Sequence, residues 1–331
     1  MMKKKIGAIL EKLGLKKVAV SVDLYVHAKC RETIKSIRVA IIPYIVKARS
    51  SRGYYAIDFD SDWNGFGSRI VKTLEILLYC EMNNLIPLIR YNYQEKKAPT
   101  TDYFKELFYY KNPLPIDETK ISYTKIRDND ELWKENYNQK LQLSSAKSLF
   151  DKYLGINPDI TTEVESFKQQ WFGNKKILGV HYRGTDKIGE ALLVPKESLF
   201  KYINQVIAEN TDLKLIFLST DDKEIINYLK RSPLPLPLIY RDDSVRSGDG
   251  EQFHRKEDVS KSLINKDAIV NCLLLSNCHI LLKTASILSD CSVVFNPGIN
   301  VKVMSIPHNK DLTWWPATEI NKYSILQPID Q

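Results

Sequence analysis

The densest run of chemistry-bearing side chains is His181, Tyr182, Arg183, Gly184, Thr185, Asp186 and Lys187, directly after the apolar stretch KILGV. Three further runs lie at comparable points of the pattern. LKLIFL is followed by Ser219, Thr220, Asp221 and Asp222; PLIYR by Asp242, Asp243 and a polar stretch with Arg246, His254 and Arg255; HILLK by Thr284, Ala285 and Ser286. Each apolar run reads as a strand, so each polar run marks a strand's carboxyl end. In a doubly wound sheet that is where ligands bind. Cations, carboxylates and a helix start converging on one edge suit a phosphorylated ligand. Arg183 offers a planar fork for a diphosphate, and main-chain N–H groups near Ser286 offer a further phosphate site.

The elements that must hold these residues are read from periodicity. From residue 173 onward, strands alternate with helices: KILGVHYRG, then PKESLFKYINQVIAEN, LKLIFLST, DKEIINYLKRS, PLIYRDD, DAIVNCLLLSN and HILLKTAS. That alternation predicts a parallel sheet covered on both faces. Upstream, YAIDFD, the turn SDWNGFGSR, the periodic IVKTLEILLYCEMNN and the strand-like LIPLIRYNY form a second strand–helix–strand unit. Residues 95–145 read as short helices and loops, and SLFDKYLGINPDITTEVESFKQQWF as helical. The expected organisation is an amino-terminal domain over 1–172, a carboxy-terminal Rossmann-like domain over 173–305, and a tail over 306–331 that packs back across both.

GVHYRGTDK resembles the first motif of the nodulation and core α1,6-fucosyltransferases, in which a strand ends in His-x-Arg-Arg-Thr-Asp-Lys or a close variant. IFLSTDD resembles that family's second motif, LLLSNCHILLKTAS its third, and DWNGFGSRIVKTLEILLYC its amino-terminal glycine-rich turn. The likeness covers roughly 58–90 and 177–290. It implies an α/β fold of the GT-B kind, two Rossmann-like domains facing across a cleft. The implied activity is inverting, metal-independent fucosyl transfer from GDP-fucose to a glycan, with no cofactor beyond the donor substrate.

Carried over by position, the resemblance gives Arg183 the β-phosphate of the leaving GDP and His181 a nucleotide contact. Asp186 and Lys187 match the motif's Asp-Lys, and Lys187 would help to stabilise the leaving group. Thr220, Asp221 and Asp222 match the run that buttresses the arginine loop. Ser286 falls beside the phosphates, and Gly65 and Gly67 in the turn that lets backbone approach the donor. Three departures stand out. Gly184 replaces the family's second arginine. Asn271 stands where an aspartate pairs with the guanine edge, with Asp267 one turn earlier as the other carboxylate. Glu190, the candidate base, lies one residue closer to Lys187 than the family's glutamate does. Two other readings stay open: the same fold with another nucleotide sugar, or a non-catalytic nucleotide-binding scaffold at a membrane.

Charge narrows the partners. The 331 residues carry 48 Lys and Arg against 40 Asp and Glu, a net +8. Six lysines and one glutamate fall in the first 17 residues, so most of the excess sits in one segment. Its apolar residues, Ile6, Ile9, Leu10 and Leu13, recur at helical spacing, a pattern that suits an anionic membrane surface or the protein's own core. A nucleic-acid partner is not expected, because the rest of the chain is nearly balanced. The odd set of five cysteines lacks a CxxC pair, which points to reduced core thiols. With no secretory signal pattern, a cytoplasmic enzyme, peripheral on the membrane's inner face, is the expectation. Asp60, Asp62, Asn64 and Gly65 mimic the head of a calcium loop, but Val71 stands where the bidentate glutamate is required.

Overall fold

A computed structural model describes residues 53–59, 65–92, 102–112, 116–117, 120–126, 140–184, 191–244, 246, 260–305, 316, 319–320 and 326. The chain divides into two compact units, Met1–Gly53 and Tyr54–Gln331, and every described strand and helix belongs to the second. The basic segment 1–17 and Asp60, Asp62 and Asn64 lie outside the described residues, as do Asp186, Lys187, Glu190, His254 and Arg255.

The ten described strands form three sheets. The first sheet is parallel, with β1 (Tyr54–Asp58) between β2 (Ile86–Arg90) and β4 (Thr124–Lys125). The small second sheet pairs β3 (Phe108–Tyr110) antiparallel with β5 (Leu154–Ile156). The large third sheet runs β10–β9–β6–β7–β8, all parallel, from β6 (Lys176–Tyr182), β7 (Leu213–Thr220), β8 (Leu238–Ile239), β9 (Ile280–Lys283) and β10 (Asn300–Val303). The described helices are α1 (Phe66–Asn83), α2 (Tyr103–Leu107), α3 (Leu143–Tyr153), α4 (Pro158–Phe167), α5 (Lys196–Glu209), α6 (Lys223–Arg231), α7 (Lys261–Ser276) and α8 (Ile287–Phe295). Among the described residues no helix is long and apolar enough to cross a membrane.

The strand and helix alternation expected from residue 173 onward is present. The sequence reading departs from the structure at β5, which interrupts the stretch read as one long helix. Gly155 lets the Tyr109 side chain lie across it: a β-carbon there would stand 2.2 Å from the Tyr109 ring. The partner strand lies more than forty residues upstream, beyond the reach of any local pattern. At the end of that stretch α4 runs into a π-helical turn, Lys168–Phe172. Phe167 and Phe172 stack edge-on against Phe217 of β7, with ring centroids 5.6 and 5.5 Å away, so this stretch belongs with the third sheet.

Period-2 alternation in β6 decides what the site rests on. Leu178, Val180 and Tyr182 join a core with Leu199 and Ile203 of α5 and Ile225 and Leu229 of α6. Ile177 on the opposite face joins a second core. That core continues through α7, α8 and α1 to Tyr55 and Ile57 of the first sheet, so the two parallel sheets share one apolar interior. Buried Cys80, Cys272, Cys278 and Cys291 are unpaired thiols, and burial pushes all four up, Cys272 to about 12. Two described residues near the carboxyl terminus bond to these elements. The Glu319 carboxylate accepts from Leu143 N–H at the start of α3, 3.1 Å, and Leu326 N–H donates to Val303 O, 3.0 Å.

Candidate functional site

The polar residues singled out in sequence gather where the strands of the third sheet end. His181 pairs in register with Ser219 of β7 on one side and Lys283 of β9 on the other. All three are buried, so the sheet face that is apolar along its length ends in a polar rung. Lys283 reaches Asp290 in the first turn of α8 at 2.9 Å, both side chains at most 2% exposed. His181 is pushed down to about 3, mainly by burial and then by the Lys283 and Arg183 charges, so its imidazole is neutral at physiological pH. Its Nδ1 finds no hydrogen-bond partner among the described residues.

Arg183 leaves the end of β6 with its main-chain N–H donating to Thr284 Oγ1, 3.0 Å. Its Nε stands 3.7 Å from Asp221 Oδ2, an ion-pair distance longer than a hydrogen bond, and both side chains keep some exposure, 22% and 15%. The carboxylate thus orients a guanidinium that solvent, or a ligand, still reaches. The neighbouring carboxylate does different work. Asp222 caps α6, accepting from Glu224 N–H at 2.8 Å, while its own N–H donates to Thr220 Oγ1 at 3.1 Å. Of the Asp-Asp pair, then, only Asp221 faces the arginine.

Two residues beyond Thr284, Ser286 is the N-cap residue of α8. Its hydroxyl makes no side-chain cap and, buried, finds no partner among the described residues. Helix starts carry unsatisfied amides and partial positive charge, so an orphan hydroxyl there is suited to an anion's oxygen. The first turn of α1 abuts the first turn of α8. A β-carbon on Gly67 would lie 2.8 Å from Leu288 N and 2.9 Å from the Ile287 carbonyl carbon. Gly67 therefore serves close helix approach, whereas Gly65, the N-cap of α1, has open space at its α-carbon. Because α1 follows β1 and α8 follows β9, this contact brings the carboxyl ends of the two parallel sheets together. Ser68, which the sequence reading did not single out, contributes a second buried hydroxyl without a partner among the described residues. Its one signal in sequence was adjacency to the glycine turn.

Asn271 lies on α7, against the chain that follows β8. Its amide N–H groups donate to Ser244 Oγ at 3.2 Å and Asp267 O at 3.0 Å. Asp267 is committed elsewhere: with Glu163 and Asp243 it surrounds buried Arg241 at 2.7–2.9 Å. Burial raises the Asp267 carboxyl, against the pull of Arg241. Arg246 braces the same loop, its guanidinium on the Arg241 and Ser244 carbonyls and over the Tyr240 ring. Among the described residues no group of three or more His, Cys, Asp and Glu side chains is placed to hold a metal ion.

No protein-family model matches this chain, and no curated protein matches it in sequence. Solved structures do match in fold. The fucosyltransferase NodZ from Bradyrhizobium superposes with a TM-score of 0.51 over 77% of this chain and 99% of its own, at 11% identity. NodZ α-1,6-fucosyltransferase co-crystallised with GDP gives 0.51 over 77% and 98%, at 12% identity. The expected GT-B-type α/β fold is therefore the observed one.

Proposed function

We propose that this protein is an inverting glycosyltransferase that moves fucose from GDP-fucose to a hydroxyl of a glycan. The observation that carries the proposal is Arg183: a partly accessible guanidinium, oriented by Asp221 and tied to Thr284, beside a helix start whose buried Ser286 hydroxyl lacks a partner among the described residues. Such a constellation suits a diphosphate, and the fold is shared with a fucosyltransferase co-crystallised with GDP.

The chemistry asks for what these residues offer. As the bond between sugar C1 and the β-phosphate oxygen breaks, its electron pair goes to GDP and the sugar takes on oxocarbenium character. Arg183, the α8 start and, from sequence, Lys187 stabilise the developing phosphate charge. The acceptor oxygen bonds to C1 from the opposite face, and its proton passes to a carboxylate, for which Glu190 is the candidate. His181, neutral and buried, can contact the nucleotide without adding charge, and Asn271 is the candidate partner of the base. The transfer is proposed to need no metal and no further cofactor. The acceptor is proposed to be a surface-polysaccharide or lipid-linked intermediate, met at the inner face of a membrane through the basic segment 1–17.

Asn271 favours a second reading, the same reaction with another nucleotide sugar, since an amide donates as well as accepts where a carboxylate only accepts. Incubation with labelled GDP-fucose and an oligosaccharide panel, alongside thermal shift with GDP, UDP, ADP and CDP, tests both. GDP is expected to stabilise most and the label to reach a glycan. Stabilisation by another nucleotide alone transfers the assignment to that donor, and binding without turnover makes the protein a scaffold.

A further inference from the structure

We propose that Tyr182 is a positioning residue that ties the end of β6 to the chain just before α5, and that its ring is the reason residue 184 is glycine. Tyr182 closes β6 on the face of Leu178 and Val180, packed in the α5 and α6 core and 4% exposed. Its hydroxyl crosses twelve positions of sequence to donate to Val194 O at 2.8 Å, just before α5 begins. Val194 is itself buried, so the bond lies out of water. Burial, with Asp222 and Asp221 nearby, pushes the phenol up to about 12, which keeps it a donor.

The same ring fills the space beside residue 184. A β-carbon on Gly184 would lie 2.6 Å from Tyr182 Cε1 and 3.1 Å from its hydroxyl oxygen. Any side chain there, an arginine included, must displace a ring fixed at its root by the strand and at its tip by Val194. The departure at 184 is thereby explained by contact: tyrosine at 182 and glycine at 184 form one device. Between the tied ends lie Asp186, Lys187 and Glu190 in sequence, and Arg183 sits between two anchors, its own N–H on Thr284 and its neighbour's hydroxyl on Val194. Together these anchors fix the backbone from which the Arg183 side chain departs. The role in turnover rests on the proposed transferase reading; the tie itself does not.

The experiment uses the full chain in three variants: Tyr182→Phe, Gly184→Ala and both together. Hydrogen–deuterium exchange at residues 183–184 and 191–195, without ligand, is expected to quicken about fivefold in Tyr182→Phe, the size of one lost buried hydrogen bond, with the strands and helices elsewhere unchanged. With GDP-fucose, kcat is expected to fall five- to tenfold while GDP affinity stays within twofold of native. Gly184→Ala is expected to behave alike, because moving the ring breaks the same bond. The double variant is then no worse than the more damaged single one. Native exchange and native kcat in Tyr182→Phe, or effects of the two substitutions that multiply, would overturn the proposal. If Gly184→Ala does not fold, Tyr182→Phe, which removes one oxygen, decides alone. If the native protein turns over no nucleotide sugar, the exchange result still judges the tie while the transferase reading falls.

Discussion

Replacing Arg183 with alanine is expected to abolish most catalysis while leaving the fold in place. The ion pair between Arg183 and Asp221 is 3.7 Å long, with both partners partly exposed. Solvent screening holds such a pair below about 1 kcal/mol, so its loss lowers the melting temperature by about 3 °C or less. The diphosphate loses far more. A hydrogen bond to a charged group is worth about 1.5–3 kcal/mol. Two from a guanidinium fork amount to roughly 3–6 kcal/mol, or about 10²- to 10⁴-fold in kcat/KM. Alanine also leaves the Asp221 carboxylate facing the phosphates. Like charges about 6 Å apart at an effective dielectric near 40 repel by roughly 1.4 kcal/mol. Arg183→Ala with Asp221→Asn is therefore expected to recover about tenfold over Arg183→Ala alone. Steady-state kinetics with GDP-fucose and titration calorimetry with GDP measure both quantities. GDP binding of native strength in Arg183→Ala, or a double variant weaker than the single, would refute the electrostatic reasoning.

Further outcomes rest on the same geometry. Gly67→Ala forces a β-carbon against the Ile287 and Leu288 backbone and is expected to destabilise by about 1–3 kcal/mol, read as a lower urea midpoint. Lys283→Met removes the cation 2.9 Å from the buried Asp290 carboxylate and is expected to cost about 3–5 kcal/mol, most of it regained in Lys283→Met/Asp290→Leu; a double variant as unstable as the single contradicts this. His181 has a folded-state pKa near 3 against about 6.5 unfolded. The unfolded chain thus binds the extra proton between those values, and stability falls as pH drops through that window. About 2 kcal/mol is expected to be lost from this group between pH 7 and pH 5; urea melts of His181→Asn at the two pH values should lack that share of the loss.

Much of the third sheet could be read directly. Its strands are buried on both faces, so they appear as continuous apolar runs, and the helices between them have stripes of their own period. The ends of those runs are where polar residues begin, which is why His181, Arg183, Asp221 and Ser286 could be picked out by position alone. Short elements escaped for an equally plain reason. Three residues, Leu154–Ile156, carry no period of their own, and their identity as a strand comes from Phe108–Tyr110.

Composition and patterns a few residues long were enough for the layered α/β class, for the burial of Cys80, Cys272, Cys278 and Cys291, and for the chemical types available at the sheet's edge. How those types divide their work came from packing. It turned Asp221 toward Arg183 and left Asp222 as a cap, committed Asp267 to Arg241, set Gly67 against α8 and laid the Tyr182 ring over Gly184. Each of these is a contact at atomic distance, most of them between segments separated by many positions. A linear pattern records which groups are present; only packing settles which of them meet.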